Sequence, residues 1–167
     1  IGTFRGLNKY DGNQYHQYYC VDDSLGLPDN NITDIYRDSH NRLWVATVNG
    51  VCLYQTNGNF KRVSINGANK NIEKILEDKE GRIFFITITD LYQYDEKNNK
   101  AITRLSKMVE KNCYNFSCHI DRKDVMWIVT SYSVKGYRTQ DLKLIAQNPV
   151  QSYPIASFLL DGHQLYI

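Results

Sequence analysis

Three stretches of this chain are apolar on consecutive residues: Leu43-Trp44-Val45, Ile83-Phe84-Phe85-Ile86 and Met126-Trp127-Ile128-Val129. Successive side chains of an extended strand point to opposite faces, so each run predicts a strand buried on both sides. The runs sit at the same place in a longer pattern. Upstream, Ile32, Ile35 and Asp38 recur as Ile72, Ile75 and Asp78, and again as Ile155, Phe158 and Asp161; the copy over 115–121 keeps only Cys118 and Asp121. Asp38, Asp78 and Asp121 each stand six residues before Trp44, Phe84 and Trp127. Downstream, Thr3, Thr47, Thr87 and Thr130 are each followed seven residues later by Tyr10, Tyr54, Tyr94 and Tyr137.

A polar turn follows each Asp. Asn41 or Gly81 stands three residues on, where a type I turn with a following bulge requires positive φ. The Asp carboxylate is placed to accept N–H groups of that turn. A calcium loop would need further oxygen ligands that so short a turn lacks.

Val45, Phe85 and Ile128 are separated by 40 and 43 residues, the length of one four-stranded propeller blade. The predicted fold is therefore all-β: β-propeller blades of four antiparallel strands, with about four periods present as a fragment of a larger propeller. Blades packed face to face around an axis bury both sides of every second strand, whereas a two-sheet sandwich would leave each strand alternating. Third strands are expected at 51–54, 91–94 and 134–137, alternating more. Outer strands at 60–65, 101–105 and 142–146 carry Lys and Arg, as exposed edges do. The expected division is 1–26 (end of a blade), 27–66, 67–108, 109–149 and 150–167 (start of a blade). Ile1 and Ile167 share the column of Val45, so an open arc completed by further residues of the same propeller or by another copy is expected in preference to a closed ring of four blades.

Composition adds constraints. Thirteen Tyr, six Phe and two Trp favour β structure. The net charge of +2, from 20 basic and 18 acidic residues scattered along the chain, argues against nucleic-acid contact by this segment. No apolar run approaches the roughly 18 residues of a membrane span, so membrane attachment is expected only through a parent protein. Cys20, Cys52, Cys113 and Cys118 have no metal-ligand spacing and read as small buried hydrophobes, with a Cys113–Cys118 bridge in an oxidising compartment as the alternative. Motifs for nucleophilic, metal or phosphate chemistry are missing. No catalytic residue, metal or cofactor is expected.

The pattern Leu27-Pro28-x-Asn30-x-Ile32-x-x-Ile35-x-x-Asp38, followed by Arg42-Leu43-Trp44-Val45-x-Thr47-x-x-Gly50-Val51-x-x-Tyr54, resembles the propeller repeat in the periplasmic sensor regions of hybrid two-component regulators. The stretch from Ile1 to Asp11 resembles the second half of the same repeat. Gly50 gives way to Asp90 and Ser133, and Trp44 to Phe84 and Tyr166. The resemblance implies a periplasmic sensor module of an inner-membrane protein that recognises a glycan-derived oligosaccharide, with the histidine kinase and transcriptional output outside this chain. A non-catalytic scaffold for protein–protein assembly is the alternative, and a carbohydrate lyase or hydrolase the third reading.

Strands are committed to packing, so ligand contacts are expected on loops. The face carrying the blade-to-blade connections and the loops between second and third strands holds Arg5, Asn30, Asn31, Asn49, Tyr114 and Tyr132. Planar amides and a guanidinium match sugar hydroxyls, and a tyrosine ring matches the apolar side of a pyranose.

Overall fold

The computed structural model describes residues 1–21, 25–67, 70–108, 116–130, 132–149, 159–161 and 164–166; for Phe116 and the residues after 158 it describes the backbone alone. Every regular element among them is a strand. β1 (Gly2–Thr3), β2 (Gly6–Tyr10) and β3 (Tyr15–Tyr18) form the first sheet. β4 (Ile32–Arg37), β5 (Leu43–Thr47), β6 (Gly50–Tyr54) and β7 (Phe60–Arg62) form the second. After the short β8 (Ser64–Ile65), the third sheet contains β9 (Lys74–Glu77), β10 (Ile83–Ile86), β11 (Asp90–Asp95) and β12 (Lys100–Ser106). β13 (Phe116–Ile120), β14 (Val125–Thr130), β15 (Ser133–Arg138) and β16 (Leu144–Pro149) make the fourth, and β17 (Leu159–Asp161) pairs with β18 (Gln164–Tyr166). Apart from β8, strands adjacent in sequence are adjacent in their sheet and antiparallel, so each sheet is a meander joined by short turns. These are consecutive blades of a β-propeller.

The doubly apolar strands divide their side chains between two cores. On β5, Val45 packs toward the first sheet with Leu7, Leu27, Cys52 and Phe60. Trp44 and Ala46 turn the other way and join Ile75, Ile83, Phe85 and Tyr92 of the third sheet. β10 does the same: Ile83 and Phe85 face the second sheet, while Phe84 and Ile86 join Cys118, Met126 and Ile128 of the fourth. Period-two alternation is present, but both sides are interior, which is the packing expected of blades stacked face to face.

A polar skeleton fixes the strand ends away from the blade-to-blade connections. Asp38 is 5% exposed, and its Oδ1 accepts the N–H groups of His40 (3.0 Å) and Arg42 (2.8 Å). Its Oδ2 accepts Arg42 Nε (2.6 Å) and the Trp44 indole N–H (2.8 Å). Burial pushes this carboxyl up, but the Trp44 indole and then the Arg42 amide and guanidinium outweigh it and hold the pKa below the ordinary 3.8. Asp121 repeats the arrangement with Trp127, and its carboxyl is likewise held low against its burial. Asp78 meets Phe84 instead and keeps only the turn N–H groups and Arg82. The indole bond explains why Asp and Trp share a fixed spacing. The predicted positive φ is present at Asn41 (63°) and Gly81 (76°), and Asp124 takes it (65°) in the third copy.

The same turns bolt blade to blade. Glu77 accepts the Ser39 N–H (2.9 Å) and the Tyr36 hydroxyl (3.1 Å), Asp124 accepts the Lys79 N–H (3.1 Å), and Arg42 reaches Glu96 (2.7 Å).

Three expectations need correction. The segment 60–65 is not one outer strand: it breaks at Val63, and β8 crosses to pair in parallel with β12 of the next blade. Val63 and Ile65 are buried between the second and third sheets, so the chain has to pass beneath the neighbour to bury them. The third strand β6 does not alternate, because Gly50 to Leu53 are all buried. Cys20 is exposed rather than a buried hydrophobe, while Cys52 and Cys118 are buried, and all three are free thiols. Cys113, the other half of the suggested bridge, lies outside the described residues.

Candidate functional site

The hairpins between second and third strands turn on one repeated device. The Thr47 hydroxyl donates to the Gly50 carbonyl (2.9 Å) and accepts the Asn49 N–H (3.2 Å). Thr3 does the same for Gly6 and Arg5, Thr87 for Asp90 and Thr89, and Thr130 for Ser133 and Tyr132. A hydroxyl that serves as donor and acceptor closes a tight corner without a buried unpaired group. Arg5, Asn49, Thr89 and Tyr132 therefore occupy one equivalent corner in four successive blades. Arg5 and Asn49 are exposed and Tyr132 is 44% exposed.

Asn30 and Asn31 lie on the connection between the first and second sheets, on the same face as these corners. The Asn30 carbonyl accepts Gly6 N–H (2.8 Å) and its carboxamide oxygen accepts Cys20 N–H (2.7 Å). The Asn31 carbonyl accepts Val48 N–H (3.2 Å), and its own N–H donates to Asp29 (2.8 Å). Both residues thus tie the connection to two hairpin corners, and part of the polar capacity of Asn30 is committed there. Tyr114 lies outside the described residues.

Beside Asn49 a cleft of about 280 Å³ opens between the second and third sheets, lined among others by Pro28, Gly50, Arg62, Ser64 and Lys70. Sequence reasoning passed over Arg62 and Lys70. Arg62 sits on β7, where the edge-strand explanation of its charge was sufficient, and its role depends on a connection folding back over it. A larger cleft of about 850 Å³ lies at the opposite ends of the strands, between the first and second sheets. Its lining includes Leu7 and Ile35 of the core between these two sheets, with Lys9 placed over the Tyr54 ring (5.7 Å). It reads as a gap between blades more than as a polar site.

Among the described residues, no three His, Cys, Asp or Glu side chains are grouped to hold a metal. Of the described histidines, His16 pairs with Asp11, His40 lies in the Asp38 turn, and His119 lies on β13; none is on a hairpin corner.

Residues 26–49, from the connection through β4 and β5 to the corner residue Asn49, match the family model described as two component regulator propeller. Residues 26–49 are thus similar to one two-component regulator propeller repeat. Two solved structures that share its fold are extracellular domains from B. thetaiotaomicron described as belonging to hybrid two-component systems. BT4673 is 21% identical with a TM-score of 0.75, aligned over 98% of this chain and 23% of that one. BT3049 is 16% identical with a TM-score of 0.66, over 96% and 26%. A virginiamycin B lyase from Staphylococcus aureus is 12% identical with a TM-score of 0.65, over 89% and 49%. At these identities the similarity establishes the propeller fold. The chain spans about a quarter of the length of the hybrid-system structures. No curated protein matches the chain.

Proposed function

We propose that this chain is a non-catalytic part of the sensor propeller of a hybrid two-component protein, on the periplasmic side of the inner membrane. A glycan-derived oligosaccharide is its ligand. Contact is made at the corner face by Arg5, Asn49 and Tyr132, with Asn30 and Asn31 on the neighbouring connection, and the signal passes to a kinase and transcriptional output outside this chain. The observation that carries the reading is the two-component regulator propeller match at residues 26–49, which includes one connection and one corner of this face. The chemistry supports it: a ring of corners presents a guanidinium, an amide and a phenol on a rigid scaffold, the groups that read hydroxyls and stack on a pyranose.

Calorimetric titration of the protein with a panel of oligosaccharides tests the reading. Binding that is weakened at least about tenfold, roughly 1.4 kcal/mol, by Tyr132→Ala is the expected result. Failure of every saccharide to bind, together with tight capture of a protein partner, would establish the scaffold reading instead; turnover of a saccharide would establish the lyase or hydrolase reading.

A further inference from the structure

We propose that the cleft beside Asn49 binds an oxyanion, the carboxylate or sulfate of an acidic sugar, held by Arg62 and Lys70. This deepens the proposed function and rests on the corner face being the binding face. Arg62 is held by main-chain oxygens. Its Nε donates to the Gly26 carbonyl (2.9 Å), and its Nη2 donates to the carbonyls of Val21 (3.2 Å) and Leu27 (2.7 Å). Three neutral oxygens fix the guanidinium in place, and none of them carries a charge to offset its own. Arg42, Arg82 and Arg138, in contrast, each pair with a carboxylate. No described carboxylate lies within ion-pair distance of Arg62, and its Nη1 bonds to no described residue.

The surroundings add to this charge. Lys70, on the same cleft, is exposed and has no described ion pair, and the lining contains two cations and no Asp or Glu. Asn49 and Ser64 supply neutral hydrogen-bonding groups at the mouth. Gly50, in the cleft wall, has φ of 129°, a backbone conformation that favours glycine. With Nε and Nη2 committed to those carbonyls, Arg62 offers an oxyanion its charge and the N–H groups of Nη1 from a position fixed before binding, and Lys70 supplies the second cationic donor. At about 280 Å³ it takes one charged sugar ring, with the rest of an oligosaccharide running out over the corners.

The test uses saturation-transfer NMR on the intact protein with glucuronate and glucose as probes and inorganic sulfate as competitor. Glucuronate should bind at least about tenfold more tightly than glucose, sulfate should displace it, and salt near 1 M, where screening acts over about 3 Å, should weaken it. Lys70→Glu should cost about tenfold or more in glucuronate affinity. Lys70 is exposed, so an unchanged melting temperature shows that this variant folds; Arg62 is left intact because it holds the connection. Equal binding of glucose and glucuronate, a Lys70→Glu affinity within about twofold of the parent, or no binding of either anion overturns the assignment. Binding of a neutral sugar alone leaves the sensor reading standing without the anion site. Binding of sulfate with no saccharide leaves the anion site standing without the sensor reading.

Discussion

Replacing Asp38 by Ala removes the acceptor on which one blade's turn, its central strand and the contact to the next blade all converge. Four donors meet this carboxylate within 3.0 Å: two turn N–H groups, Arg42 Nε and the Trp44 indole. Removing one partner of a buried ion pair costs about 3–5 kcal/mol. Arg42 is 23% exposed and keeps Glu96, so its share is cushioned, and about 3 kcal/mol is expected for Asp38→Ala. Asp78→Ala should cost about 1 kcal/mol less, because Phe84 puts no indole on that carboxylate. Trp44→Phe, which copies the third sheet, removes the indole bond while keeping a ring against Phe85 and Tyr94, and should cost about 1.5 kcal/mol. The double variant should recover about 1 kcal/mol of coupling. Urea unfolding followed by circular dichroism measures all four, with hydrogen exchange of the Trp44 and Phe85 amides as the readout if blades unfold separately. An Asp38→Ala cost below about 1 kcal/mol, or one equal to that of Asp78→Ala, would refute the shared-acceptor account.

Acid should act through the same groups. Asp38 and Asp121 have folded-state pKa values below the ordinary 3.8, so the stability they contribute is complete above that value and is lost as pH falls through the folded values. Melting temperature should therefore fall steeply below about pH 4, and Asp38→Asn should flatten that limb; an unchanged acid slope in the variant would count against it. At the turn position with positive φ, Gly81→Asn should be nearly neutral, since Asn41 already adopts 63° there, whereas Gly81→Val should cost about 1–3 kcal/mol by thermal unfolding. Among the described thiols, Cys20 should label with iodoacetamide in the native protein. Cys52, whose thiol burial pushes up to about 12, and Cys118, pushed higher than its ordinary range by burial, should label only on unfolding, as read by peptide mass spectrometry.

The candidate site was only partly legible. Arg5, Asn49 and Tyr132 could be placed together because each stands two residues after a Thr of the repeat, and the Thr corner makes that spacing structural. Arg62 could not be found in this way. Its neighbours in sequence say edge strand, and only the placement of Val21, Gly26 and Leu27 beside β7 gives it three carbonyls.

The chain by itself determined the blade: its period, the strands greasy on both sides, and the Asp turn with positive φ three residues on. These follow from local stereochemistry and from burial, both of which leave a mark on every copy of the repeat. Tertiary structure alone decided which sheet Ser64 and Ile65 join, which core each side of β5 and β10 enters, and which oxygens receive the Arg62 and Trp44 donors. Those are pairings between residues far apart along the chain, and a one-dimensional pattern specifies that a group must be buried or bonded without specifying its partner.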